Sequence, residues 1–272
     1  MADRRAVGVF DSGLGGLTVV RELQQVLPHE NIVYFGDTGR VPYGVKSRET
    51  ILRYAAEDER FLLQHDVKLI VAACGTVSSV AASTGAQLPV PFVEVVSHSV
   101  DAAVAATKNG KIGVLATVAT IGSGMHKKLI LEQLPDATVV ENSGTLLVDL
   151  VEEGWTDPTD PVVTEAVRRY VAPMKEAGVD TLILGCTHFP VLQAAIAAVM
   201  GQGVTLINMG TASAKAVAKL LTESGRQNDG TAAGNIAFFV SDKSASFCKT
   251  ASCLLGAPVD ERAVTAVQVG GK

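Results

Sequence analysis

Short apolar runs alternate along this chain with longer stretches in which apolar side chains recur every three or four positions. Ala6-Val-Gly-Val-Phe10 runs into Asp11-Ser-Gly-Leu-Gly-Gly16, after which Leu17, Val20, Leu23 and Val26 or Leu27 fall at helical spacing. The pattern predicts strand, glycine loop and helix. The same reading gives a strand over 31–35 and an irregular loop through Gly36-Asp37 and Val41-Pro-Tyr-Gly44. A helix over 47–65 follows, then a strand, Lys68-Leu-Ile-Val-Ala-Ala73, that ends at Cys74.

A similar series then restarts. Lys111-Ile-Gly-Val-Leu-Ala116 echoes the first strand and is followed by Thr117, Thr120 and a helix over 125–134. Thr181-Leu-Ile-Leu-Gly185 ends at Cys186-Thr-His188 much as Leu69-Ile-Val-Ala-Ala73 ends at Cys74. The chain therefore reads as a diverged internal duplication. Short apolar strands alternating with helices point to a doubly wound α/β architecture: two pseudo-symmetric domains, each a parallel sheet covered on both faces. Residues 225–235 are small and polar, as in an exposed loop; beyond them, 236–240 reads as a strand and 244–255 as a helix that returns to the first half. The expected domains are 1–97 plus 210–272, and 98–209. Ligands of such sheets bind beyond the carboxyl ends of the strands, so two facing halves would enclose one cleft.

The 272 residues are 47% hydrophobic, 19% charged and only 5% aromatic, a globular composition whose core must be built from Val, Ile, Leu and Ala. A net charge of −5 with scattered basic residues gives no reason to expect nucleic acid as a partner. No apolar run approaches the roughly 20 residues that cross a bilayer, and no signal-peptide core follows Met1, so a cytoplasmic protein without membrane association is expected. Four cysteines in this length form no disulfide framework, and none has the spacing of a metal or redox pair. Cys248 and Cys253 read as packing residues.

Cys74 and Cys186 differ from those two by their matching positions at strand ends. Thr76, Ser78 and Ser79 follow the first and Thr187 the second, each entering a predicted helix whose N-terminal N–H groups favour a thiolate or a bound carboxylate. Gly13, Gly15 and Gly16 fit neither the dinucleotide fingerprint nor the P-loop, but they let backbone approach a small anion. Asp11 suits either a helix cap or a proton-handling role beside a cysteine. His188 is either a loop histidine or a partner of the Cys186 thiol, and Glu152 and Glu153 read as a solvated helix face.

Five blocks together carry a resemblance: Val9-Phe-Asp-Ser-Gly-Leu-Gly-Gly-Leu-Thr18, Phe35-Gly-Asp-Thr38, Pro42-Tyr-Gly44, Ala73-Cys74-x-Thr76 and Leu184-Gly-Cys-Thr-His-Phe-Pro190. The chain resembles the bacterial glutamate racemases of the aspartate/glutamate racemase family over nearly its whole length. The resemblance implies inversion of glutamate without pyridoxal phosphate, metal or nucleotide, supplying D-glutamate for peptidoglycan, in a homodimer. It implies that Cys74 takes the α-proton of D-glutamate and Cys186 that of L-glutamate, with Asp11 assisting the first, His188 the second, and Glu152 orienting His188. Ser12, Tyr43, Gly44, Thr76 and Thr187 would hold the substrate, joined by the Gly75 backbone, Thr117 and Thr120. Gly75 stands where the family has asparagine, Glu141-Asn-Ser-Gly144 where many relatives have Ala-Cys-Pro, and Val41 where cysteine is frequent. These departures keep open a relative acting on aspartate or another amino acid, or a catalytically silent amino-acid-binding relative.

Overall fold

The computed structural model describes residues 2–81 and 84–270. Among the described residues, ten strands alternate with helices: β1 (Val7–Asp11), β2 (Ile32–Gly36), β3 (Leu69–Ala72), β4 (Phe92–Glu94), β5 (Lys111–Ala116), β6 (Thr138–Ser143), β7 (Thr181–Gly185), β8 (Thr205–Asn208), β9 (Ile236–Val240) and β10 (Val264–Ala266). They form two sheets, ordered β10-β9-β2-β1-β3-β4 and β6-β5-β7-β8, in which every pairing is parallel.

Four strands of the first sheet, β2-β1-β3-β4, have the order of the whole second sheet, β6-β5-β7-β8. The repeat read from the sequence is thus a repeat of topology, with Cys74 just past β3 and Cys186 just past the equivalent β7. The tail breaks the equality by adding β9 alongside β2, in register Ile32 to Ile236 through Gly36 to Val240, and β10 outside it.

Side-chain alternation explains why both sheets are covered on two faces. Val7 and Val9 of β1 join one apolar cluster while Phe10 joins another; Leu182 and Leu184 of β7 lie in the first cluster and Ile183 in a third. Successive residues of a strand point to opposite faces, so an unbroken apolar strand needs helices on both sides. The first cluster runs continuously from the first sheet to the second and includes Cys186, Phe189 and Met209. The outer two clusters each back a single sheet.

Helix boundaries follow local chemistry. Helix Arg48–Leu63 starts after Ser47, whose hydroxyl accepts from the Thr50 N–H, and helix Pro161–Ala177 starts after Asp160, which accepts from Val162 and Val163. The latter stops at Gly178, at φ 69°, a left-handed conformation that glycine adopts without strain. Helix Gly75–Ala81 begins directly after Cys74, as expected. The sequence after Cys186 does not enter an α-helix. Pro190 has no N–H to give the Cys186 carbonyl, which accepts instead from Phe189 at 3.0 Å, and residues Phe189–Leu192 form a tighter 3-10 turn before helix Gln193–Met200.

Candidate active site

Carboxyl ends of strands from both sheets meet at a cavity of about 300 Å³. Ser12, Gly13, Tyr43, Gly44, Cys74, Gly75 and Thr76 line it from the first sheet, and Thr117, Glu152, Gly185, Cys186, Thr187 and His188 from the second. Of the residues singled out in the sequence, Asp11 and Thr120 are buried behind this lining.

The first thiol sits among a hydroxyl and a carboxyl. Cys74 Sγ donates to Ser12 Oγ at 3.3 Å and is 5% exposed. Burial, then the nearby Asp11 carboxylate, push this thiol up to about 12, against its hydrogen bonding with Ser12 and with the Val77 N–H. Asp11 accepts from the Gly13 N–H at 2.9 Å through one carboxylate oxygen, while the other, buried, has no partner among the described residues. Its pKa is raised, by burial above all, with His188 pulling the other way. A carboxyl drawn toward its neutral form beside a protonated thiol is a proton-holding arrangement.

The second thiol sits beside a cation. His188 Nδ1 lies 3.7 Å from Cys186 Sγ, and Nε2 lies 3.1 Å from Glu152 Oε1. Burial acts to lower the imidazole pKa, but the Cys186 and Glu152 contacts outweigh it and hold the ring protonated up to about 10. The same hydrogen bond lowers the Glu152 carboxyl. Thiol, imidazole and carboxylate thus stand in a row, the carboxylate half in solvent.

Hydroxyls bridge the two sides. Thr76 Oγ1 and Thr117 Oγ1 are 3.1 Å apart, and Thr117 and Thr120 are 2.9 Å apart, so Thr120 supports Thr117 from behind. Among the described residues, no lysine or arginine lines the cavity. A bound carboxylate would therefore rely on these hydroxyls, backbone N–H groups and the His188 cation.

Tyr43 lines the cavity but its hydroxyl is turned away. It donates to Asp37, with Asp58 at 3.2 Å, and Arg40 bonds the same two carboxylates and Glu57. Arg40 also lies 4.1 Å over the Tyr54 ring. Burial and the neighbouring Asp37 raise the Asp58 pKa, against the pull of the Arg40 guanidinium and the Tyr43 hydroxyl. It anchors the loop carrying Tyr43 and Gly44 to helix Arg48–Leu63 and, through Ser241 and Asp37 at 2.7 Å, to the end of β9.

The expectation for the glycine loop needs correcting. Gly15 and Gly16 do not bring backbone to a ligand, because only Gly13 of the three lines the cavity. A Cβ on Gly15 would stand 2.2 Å from Thr187 Oγ1 and 2.7 Å from the His188 ring, and one on Gly16 would stand 2.6 Å from Asp11 Cβ. These glycines admit the loop of the other sheet. At Gly75, where the family has asparagine, a Cβ would stand 2.7 Å from the Gly185 carbonyl oxygen.

Sequence reading missed Thr145, Val148 and Asp149, which line the cavity with Glu152 from helix Thr145–Glu152. Their spacing, i, i+3, i+4 and i+7, marks one helical stripe, and Leu147, Leu150 and Val151 on the opposite stripe are buried. Among the described residues no group of three His, Cys, Asp or Glu side chains is placed to hold a metal ion. No helix among them is long and apolar enough to cross a membrane.

The family model described as Asp/Glu/Hydantoin racemase matches residues 16–217, and the chain belongs to that family. Within it, the chain is 42% identical to a glutamate racemase of Geobacter metallireducens over 253 residues, 93% of each chain. It matches the crystal structure of a glutamate racemase isoform from Bacillus anthracis with a TM-score of 0.91, at 34% identity and 98% of each chain. A glutamate racemase from Francisella tularensis, solved in complex with D-glutamate, matches with a TM-score of 0.89 at 33% identity, again over 98% of each chain.

Proposed function

We propose that this protein inverts glutamate at its α-carbon, with Cys74 and Cys186 as the two acid/base groups. The observation that carries this reading is the placement of one thiol from each half of a repeated fold on a single cavity of about 300 Å³. Inversion needs a base on one face of a carbon and an acid on the other, and two groups of the same chemical kind let it run in both directions.

From L-glutamate, Cys186 as thiolate takes the α-proton while the His188 imidazolium offsets charge at that sulfur. The Cys74 thiol then delivers a proton to the opposite face. From D-glutamate the roles exchange, and Asp11 is the group available to hold the proton that Cys74 must first release. Negative charge spreading into the substrate carboxylate would be met by Thr76 and Thr187 hydroxyls and by N–H groups at Gly75 and Thr76. No step in this scheme calls on pyridoxal phosphate, a metal or a nucleotide.

The wider reading is a cytoplasmic homodimer that supplies D-glutamate for peptidoglycan, each chain divided into 1–97 plus 210–272 and 98–209. Its first support is the similarity to glutamate racemases over nearly the full chain. Circular dichroism with L-glutamate, D-glutamate and L-aspartate as separate substrates tests the chemistry. Inversion of both glutamate enantiomers, without added cofactor and in the presence of a chelator, is the expected result. Inversion of aspartate alone, or binding of glutamate without α-proton exchange from D₂O, overturns it.

A further inference from the structure

Thr18 lies in the first turn of helix Leu17–Val26, is 1% exposed and does not line the cavity. Its hydroxyl reaches across to the other sheet, with the Thr187 carbonyl at 2.8 Å. The same hydroxyl lies 2.9 Å from the Gly15 carbonyl, one turn back in its own half, so its proton is shared between a local acceptor and the one on the other sheet. The latter acceptor belongs to the residue between Cys186 and His188.

Around this bond the two sheets approach at backbone distance. Gly15 leaves room for Thr187 and His188, and Gly75, next to Cys74, leaves room for the Gly185 carbonyl, next to Cys186. Both contacts set a lower limit on how closely the thiol-bearing loops come together. The shared apolar cluster holds the halves together without direction, and the Thr18 hydrogen bond adds a directional tie at the loop between Cys186 and His188. A buried hydrogen bond between two neutral groups resists stretching because separation leaves both partners desolvated.

We propose that Thr18 is a positioning residue that fixes the separation of the Cys74 and Cys186 loops by tying the Thr187 carbonyl to the first helix of the other half. The proposal rests on the two-thiol reading above. Proton removal requires one sulfur at the α-carbon, whereas inversion requires both at matched distances. A loosened gauge therefore lets the carbanion regain a proton from the thiol that formed it, returning the starting enantiomer. The proton count is unchanged: the base that gained a proton gives one back, after exchange with solvent in a fraction of events.

The test is the partition of L-glutamate in D₂O between α-deuterated L-glutamate and D-glutamate, measured by mass spectrometry with enantiomer separation at initial rates. Thr18→Val keeps the shape and removes the donor. The expected result is inversion slowed roughly tenfold, a KM changed less than about twofold, and a deuterated-L to D ratio raised at least about threefold, the signature of misplaced reacting groups. Thr18→Ser restores the wild-type ratio. An unchanged ratio in Thr18→Val, with or without a slower rate, overturns the proposal, because a merely structural residue slows exchange and inversion alike. If Thr18→Val is insoluble, Thr18→Ala against Thr18→Ser makes the same comparison. Wild-type protein that neither inverts nor exchanges glutamate overturns the two-thiol reading and the gauge together; a wild type that inverts, with variants of unchanged partition, overturns the gauge alone.

Discussion

Cys74 leaves β3 and Cys186 leaves β7, equivalent third members of a repeated four-strand order, yet the groups facing the two sulfurs differ in charge. Ser12 and the buried Asp11 attend the first, and the Glu152-supported His188 cation attends the second. The strands are apolar on both sides and fix only where each thiol stands. The end of β1 with the loop after it, the loop that follows β7 and the helix that follows β6 fix how each thiol holds its proton. A duplicated scaffold can therefore keep its geometry while its two halves diverge in electrostatics, since few scaffold side chains face the cleft.

The largest test removes each thiol in turn. Cys74→Ser and Cys186→Ser should each slow inversion by at least about a thousandfold, because serine is a far poorer base and neither face can be served by the other sulfur. The comparison sharpens in D₂O: Cys74→Ser should still exchange the α-proton of L-glutamate through Cys186, and Cys186→Ser that of D-glutamate through Cys74. Exchange of the same enantiomer in both variants would break the assignment of faces.

His188→Asn should cost about a hundredfold in inversion by removing the cation from one half-site alone. It also has a thermodynamic signature. The folded-state pKa is raised from 6.5 to about 10, so the stabilisation tied to this proton is fully present below about pH 6.5 and is lost as pH rises through about 10. Wild type should exceed His188→Asn in urea stability by more at pH 6 than at pH 10. An equal difference at both pH values would show that folding leaves the imidazole pKa unshifted.

Gly75→Asn tests whether this half-site is a weakened version of the family pattern or one refitted to a closer partner. The Cβ would press on the Gly185 backbone carbonyl, which cannot swing aside as a flexible side chain would. Inversion should fall about tenfold, consistent with a displacement of the reacting groups below 1 Å. A gain in kcat/KM would mean that the sheets part freely there. The smallest effect is expected from Ser12→Ala, about threefold in kcat/KM, because the lost partner is a neutral hydroxyl on a thiol that keeps its Val77 N–H.

The strand-end thiols were legible in the chain because apolar runs, their matching spacing and their common ending at cysteine are local features. The Glu152–His188 pair was not, since 36 positions separate residues on different elements and only the family resemblance joined them. The rim formed by Thr145, Val148 and Asp149 lay within reach: an amphipathic stripe shows which helix face avoids the core, though not that a cavity waits there. Gly15, Gly75 and Thr18 act through the docking of one half on the other. No periodicity along either half encodes that distance, and glycine that serves a turn looks the same in sequence as glycine that admits a neighbour.

The unequal dress of the two sulfurs meets a constraint that lies outside the protein. Mirror-image amino acids have the same free energy in water, and both directions of inversion pass the same highest barrier from the same free enzyme, so kcat/KM must be equal for the two enantiomers. His188 and Glu152 cannot favour one direction at low substrate, however strongly they act on Cys186. Their influence surfaces only near saturation, where kcat and KM for L- and D-glutamate are free to differ together by a common factor.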